Sequence, residues 1–114
     1  MKKSSYGEQD YAFGQLMLTL RMTIGLTQAG LAAHLGVSRH TIGSWELGNK
    51  YPSAPHLKHV IALAVAQQAF PVGGEAAAIH ALWRSAHQKV LLDEAWLAAL
   101  LNPLPPPAVP ATQP

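Results

Sequence analysis

Residues 25–48 read GLTQAGLAAHLGVSRHTIGSWELG and contain two short helical patterns separated by a turn. Thr27 is a suitable N-cap for the first pattern, whose leucines recur at the spacing of one helix face. Gly36 can adopt the left-handed conformation that joins two helices within a few residues. Ser38 is a suitable N-cap for the second pattern. The stretch therefore predicts a helix, a tight turn and a second helix.

The second of these helices divides into an inward and an outward face. Ile42 and Trp45 are spaced to face inward. The other positions predict an exposed face that consists of Arg39, His40, Gly43 and Ser44. Because the helix begins after Ser38, Arg39 and His40 project from its first turn, which is the end of a recognition helix that enters a DNA groove.

The charge distribution is consistent with a phosphate-binding surface in the same region. The net charge of the whole chain is only +2. Residues 21–59, however, hold four basic residues and a single acidic one, so the basic excess coincides with the two-helix stretch. This placement is the one that a DNA-binding surface requires.

Apolar spacing predicts four further helices and an all-α bundle of five to six short helices. One helix ends at Gly25, a second spans residues 56–68 after a loop at 52–55, a third runs from Glu75 to about residue 92 with Val90 on its apolar face, and a last short helix is capped by Asp93. The helix at 56–68 is apolar on all sides, which predicts that it is buried on two sides. Prolines then exclude helix from residue 103 onward and favour an extended linker or tail.

Several kinds of function are not expected from this composition. Cysteine is absent, which removes disulfides, thiolate zinc sites and cysteine nucleophiles. The spacing of His56 and His59 would suit a metal, but no carboxylate completes the set, so we expect no metal and no cofactor. Ser38 and Ser44 lie near His40 without an acid partner, so we do not expect an enzyme. No apolar run reaches the roughly 18 residues of a membrane span, and we expect a cytoplasmic protein.

From Leu20 to about Leu63 the chain resembles the lambda-repressor/Cro type of helix-turn-helix, also called the xenobiotic-response-element class. The matching residues are Arg21, Gly25-Leu26-Thr27-Gln28, Leu31-Ala32, Leu35-Gly36-Val37-Ser38, Thr41-Ile42, Trp45-Glu46, Gly48 and Pro52. The resemblance implies a helix-turn-helix DNA-binding domain over residues 1–69. A C-terminal helical extension at 70–102 and the Pro-rich linker or tail at 103–114 lie outside this domain.

The resemblance also implies which residues contact DNA. The base-reading positions are Arg39, His40 and Ser44, and the positions that contact the DNA backbone are Gln28, Thr41, Asn49, Lys50 and Tyr51. Gln28 would bind a phosphate and brace the first residues of the recognition helix. An arginine is chemically suited to a guanine, since it can bond O6 and N7 together.

Two further positions have alternative interpretations. Arg21 could contact a phosphate, but the resemblance favours a structural ion pair between Arg21 and Glu46. Gly43 removes a side chain from the exposed face of the recognition helix and costs about 1 kcal/mol of helix propensity relative to alanine. Either it has no functional reason, or it lets the protein backbone approach DNA closely. Gly30 stands where many relatives have glutamate, so a reciprocal capping box with Thr27 is missing.

We therefore expect sequence-specific binding of double-stranded DNA through the major groove, by a transcription regulator or its DNA-binding module. A homodimer through the C-terminal helices would account for the high apolar content. The alternative is a protein-interaction or sensor module at the N-terminus of a larger bacterial signalling protein, with a nucleotide-binding ATPase domain beyond Pro114. The Pro-rich end and the apolar second half of the chain motivate that alternative.

Overall fold

The computed structural model describes residues 9–102, which form six α-helices and no strand within that range. The helices are α1 (Tyr11–Ile24), α2 (Gln28–Leu35), α3 (Arg39–Glu46), α4 (Ala54–Ala66), α5 (Glu75–Ser85) and α6 (Glu94–Leu101). The predicted all-α class is confirmed. The predicted Pro-rich tail lies outside the described residues.

Polar caps begin the first three helices, and left-handed glycines end α1 and α2. Thr27 and Ser38 accept hydrogen bonds from the backbone amides three residues ahead of them. Gly25 and Gly36 have φ angles of 91° and 72°, which only glycine adopts without strain. Asp10 caps α1 by accepting a hydrogen bond from the amide of Phe13, a contact that the sequence analysis did not anticipate.

Three predicted helix boundaries are wrong, one of them the end of α4, which lies at Ala66 instead of residue 68. Helix α4 begins at Ala54, before the predicted residue 56, because Pro55 lies in its first turn, where a missing amide costs no helical hydrogen bond. Helix α5 ends at Ser85 instead of near residue 92. Its predicted continuation is an irregular segment in which Val90 is exposed, and the carbonyl of Val90 accepts a hydrogen bond from Trp83 Nε1.

Helix α4 lies at the centre of the bundle. It contacts α1 and α2 on one side and α5 and α6 on the other. Its residues Leu57, Val60, Ile61 and Ala64 are fully buried. The prediction that this helix is covered on two sides is therefore confirmed. Within residues 9–102 no single helix is long and apolar enough to cross a membrane, and the α1–α2 pair reaches that length only across a 90° bend.

The start of α1 packs directly on the backbone at the end of α3. A Cβ atom at Gly14 would overlap the carbonyl of Glu46, and one at Gly48 would overlap the backbone of Asp10. The amide of Asp10 donates a hydrogen bond to the carbonyl of Gly48 at 2.9 Å. This contact, which needs glycine on both sides, fixes the recognition helix α3 against the rest of the bundle.

We expect Gly14→Ala to lower the free energy of unfolding by roughly 1–3 kcal/mol, because the added methyl forces backbone atoms apart. Urea denaturation followed by circular dichroism measures the change. Gly43→Ala is the matched control, since a Cβ there meets nothing closer than the Gln28 amide nitrogen at 3.9 Å. That control should gain about 1 kcal/mol from helix propensity. A Gly14→Ala protein as stable as wild type would contradict the close packing.

Candidate nucleic-acid interface

Helices α2 and α3 form the helix-turn-helix, and their inner faces are anchored in the core. Leu31, Leu35, Ile42 and Trp45 are each at most 8% exposed. Val37, in the turn between the two helices, is partly buried and packs against the same core. The outer face of α3 is thereby presented to solvent on a rigid support.

A shallow groove runs along this outer face. It is lined by Gln28, Arg39, His40, Gly43, Ser44, Leu47, Asn49 and Lys50. Six of the eight residues predicted to contact DNA therefore lie on one surface, and Thr41 and Tyr51 are not among them. Arg39 and His40 are both exposed. Neither side chain forms a hydrogen bond or an ion pair with any other residue of the described range 9–102.

Ser44 does not project into solvent as predicted. It borders the groove but is only 8% exposed. The chain folds back at this point, because the amide of Asn49 donates a hydrogen bond to the carbonyl of Ser44 at 2.9 Å. The prediction of an outward-facing Ser44 is wrong, and Arg39 and His40 are the side chains that project from α3.

Leu47 is a member of the groove that the sequence analysis missed. Its side chain is 56% exposed although it is large and apolar. It directly follows the last residue of α3, where the helical spacing that identified the outer face no longer applies. The only feature of the sequence that could have indicated its place in the groove was a large apolar residue between a helix end and Gly48.

Thr41 and Tyr51 make contacts within the protein. The Thr41 hydroxyl is hydrogen-bonded to that of Ser38 at 3.0 Å. The Tyr51 hydroxyl donates to a carboxylate oxygen of Asp10, and its ring packs edge-on against Phe13. Burial and the bond to Asp10 raise the pKa of Tyr51 to about 12, so its hydroxyl stays protonated.

The Glu46 carboxylate accepts hydrogen bonds from side chains of two other helices. Arg21 donates through Nε to Oε2 at 2.5 Å and through a terminal nitrogen to Oε1 at 3.1 Å. Gln28 donates to Oε1 at 3.0 Å. The prediction that Gln28 braces the first residues of α3 is wrong, because its side chain reaches the last residue of that helix instead.

All three nitrogens of the Arg21 guanidinium donate hydrogen bonds inside the protein. Besides Glu46 it donates to the carbonyl of Leu26 at 2.9 Å. The side chains of Arg21 and Glu46 are 14% and 6% exposed. Hydrogen bonding to Glu46 raises the pKa of Arg21, while burial opposes that shift. These contacts correspond to the structural ion pair and leave little of the guanidinium for a phosphate.

Within residues 9–102 no group of three or more histidine, aspartate or glutamate side chains is placed to hold a metal ion. His56 lies beside Trp45, with ring centroids 5.9 Å apart, and its Nδ1 is 3.2 Å from the Ser53 hydroxyl. His59 is exposed on the next turn of α4. Ser53 is the residue that precedes α4, so His56 lies in the first turn of that helix.

We expect Arg21→Met to lower the free energy of unfolding by roughly 3–5 kcal/mol, because it leaves the Glu46 carboxylate buried without its main partner. Chemical denaturation at neutral pH provides the measurement. The double variant Arg21→Met/Glu46→Leu removes both charges and should recover much of the loss. Equal destabilisation of the single and double variants would mean that lost packing, and not the stranded charge, accounts for the effect.

Asp10 should make the protein less stable in acid. The Tyr51 hydroxyl, then the Phe13 amide and the nearby His87, hold the pKa of Asp10 below its ordinary range, against the opposing effect of burial. A lowered folded-state pKa adds stability that is present above the unfolded-state pKa and is lost as the pH falls through the folded-state pKa. In urea titrations from pH 7 to pH 3, Asp10→Asn should be less stable at neutral pH and show a flatter acid limb. An unchanged acid limb would contradict this role of Asp10.

Comparison with known proteins gives one match. A family model described as helix-turn-helix matches residues 18–66, which run from within α1 to the end of α4. No curated protein and no solved structure matches the chain. The match includes the turn at Gly36 and the whole of α3. Residues 18–66 thus match a helix-turn-helix family of the lambda-repressor/Cro-like type.

Proposed function

We propose that this protein binds double-stranded DNA sequence-specifically by inserting α3 into the major groove, and that it acts as a transcription regulator or as the DNA-binding module of one. The observation that carries the proposal is the exposure of Arg39 and His40 on the first turn of α3. In a helix-turn-helix protein, the N-terminal residues of the recognition helix reach the base edges.

The chemistry of the groove suits base edges. Arg39 can donate two hydrogen bonds to O6 and N7 of a guanine, which discriminates against other bases by about 1–3 kcal/mol. His40 can donate to a base acceptor or a phosphate. Leu47 adds an exposed apolar surface of the kind that contacts a thymine methyl group. Ser44 contributes little surface, and Gly43 contributes no side chain. Few side chains therefore read bases, and we infer modest sequence specificity.

The other groove residues suit the DNA backbone. Gln28 and Asn49 both line the groove and are held there by hydrogen bonds to Glu46 and to Gln9, respectively. Lys50 adds an exposed positive charge. Phosphate contacts of this kind set the register of a protein on the duplex without reading its sequence. Thr41 and Tyr51 remain candidates for contacts with the DNA backbone. Because their hydroxyl groups are hydrogen-bonded within the protein, these contacts would come from their main-chain groups more than from the hydroxyls.

We also propose that the protein works as a homodimer through its C-terminal extension, in the cytoplasm of a bacterial cell. Leu91 is 93% exposed and Val90 is 57% exposed, and an apolar pair of this kind is costly to leave in water. A two-fold dimer would place its two recognition helices about 34 Å apart, on half-sites one helical turn from each other.

A selection from random duplexes, followed by titration of the recovered site, tests the proposal. We expect Arg39→Ala to relax the preference at one base pair by about 1–3 kcal/mol, because a bidentate contact is lost. His40→Ala should weaken binding to the same site. Arg84→Ala is the matched control, since this exposed arginine lies on α5, away from the groove.

Circular dichroism of each variant checks that the fold is intact. Tight binding that is unaffected by the loss of both Arg39 and His40 would contradict the proposed reading surface. If wild-type protein fails to bind duplex DNA even at low salt, the DNA-binding proposal itself is wrong, because the phosphate contribution is strongest there.

A further inference from the structure

The irregular segment between α5 and α6 packs against the loop that follows the recognition helix. Gln88 Nε2 donates a hydrogen bond to the carbonyl of Pro52 at 2.8 Å. The His87 ring lies 5.0 Å from that of Tyr51, and its Nε2 is 3.8 Å from a carboxylate oxygen of Asp10. The segment is thus held in a fixed position beside the proposed DNA-binding surface.

Lys89 borders the groove between this segment and that loop. The groove is formed by residues 50–54 on one side and 86–90 on the other. Lys50 and Lys89 are its two cationic residues, and both are exposed. Lys50 also borders the groove on the outer face of α3. The two grooves therefore meet at Lys50, with Arg39 on one side and Lys89 on the other.

The charge of this surface is positive. No acidic residue lines either groove. The Asp10 carboxylate, which is 28% exposed, lies beside the groove of Lys89, where it accepts hydrogen bonds from the Tyr51 hydroxyl and the Phe13 amide and also faces His87. Glu46 is buried against Arg21. A polyanion that lies on α3 would therefore meet Lys50 and then Lys89, and the one carboxylate beside this path in the described residues, that of Asp10, is hydrogen-bonded to Tyr51.

We propose that Lys89 contacts a phosphate of the DNA backbone that flanks the site read by α3. The inference rests on the proposed DNA binding and adds a contact from outside the family match, which ends at residue 66. Two arguments support duplex DNA as the occupant. The Lys89 groove is continuous with the proposed interface, and its positive charge complements a phosphate backbone.

The salt dependence of duplex binding tests the contact. When one phosphate contact is removed, roughly one counterion fewer is released from the DNA on binding. We expect Lys89→Gln to weaken binding to all sequences alike and to reduce the slope of log K against log salt by about 1. Lys89→Arg keeps the charge and should keep the slope. Arg84→Gln removes an exposed positive charge elsewhere in the extension and is the matched control.

Ethylation interference on the selected site adds a positional readout. Wild-type protein should show a flanking phosphate whose modification interferes with binding, and this signal should be absent with Lys89→Gln. If wild-type protein binds DNA but Lys89→Gln and Arg84→Gln have the same salt slope as wild type, the Lys89 contact is wrong and the proposed function stands. Failure of wild-type protein to bind any duplex would overturn both.

An acidic peptide is the competing occupant of this groove. Titration of a labelled poly-glutamate peptide distinguishes it from DNA. Peptide binding that is lost with Lys89→Gln, together with unchanged duplex binding, would assign the surface to a protein partner and overturn the inference. Thermal unfolding of each variant confirms that the segment at 86–90 remains folded.

Discussion

The position of the recognition helix α3 depends on the hydrogen bonds that the carboxylate of Glu46 accepts. Glu46 is the last residue of α3, and its carboxylate accepts hydrogen bonds from Arg21 on α1 and from Gln28 at the start of α2. A charge that is 6% exposed is costly unless it is paired and fully bonded, so the three helices are held together at this point. Since the same contact orients Gln28 beside α3, it sets both the fold and one edge of the candidate interface.

Backbone packing at the same end of α3 reinforces this constraint. Gly14 lies against the carbonyl of Glu46, and Gly48 lies against the backbone of Asp10. No side chain fits in either place, so the approach of α1 to α3 cannot relax by a change of rotamer. A buried charge network and a close backbone contact therefore meet at one helix end. The opposite end of α3, with Arg39 and His40, is left exposed and rigidly supported.

The features that the sequence predicted correctly are governed by nearby residues. Thr27, Gly36 and Ser38 define α2, the turn and the start of α3 through caps and a left-handed glycine, and each needs only its own neighbours. The features that failed depend on distant contacts. Helix α5 is short because the segment that follows it packs against the loop after α3, where Gln88 donates a hydrogen bond to the carbonyl of Pro52. The burial of Ser44 depends on how the chain folds back after α3, and helical periodicity carries no information about that path.

The C-terminal extension is part of the same core as the helix-turn-helix. One continuous cluster of buried side chains runs from Phe13 to Leu97 and includes Ile79 and Leu82 of α5. The predicted boundary after residue 69 therefore separates two stretches of sequence that share one core. Since Gln88 bonds the loop after α3, a movement of the extension would be transmitted to that loop without passing through the recognition helix. The surroundings of the recognition helix in this protein are thus determined partly by residues outside the helix-turn-helix match.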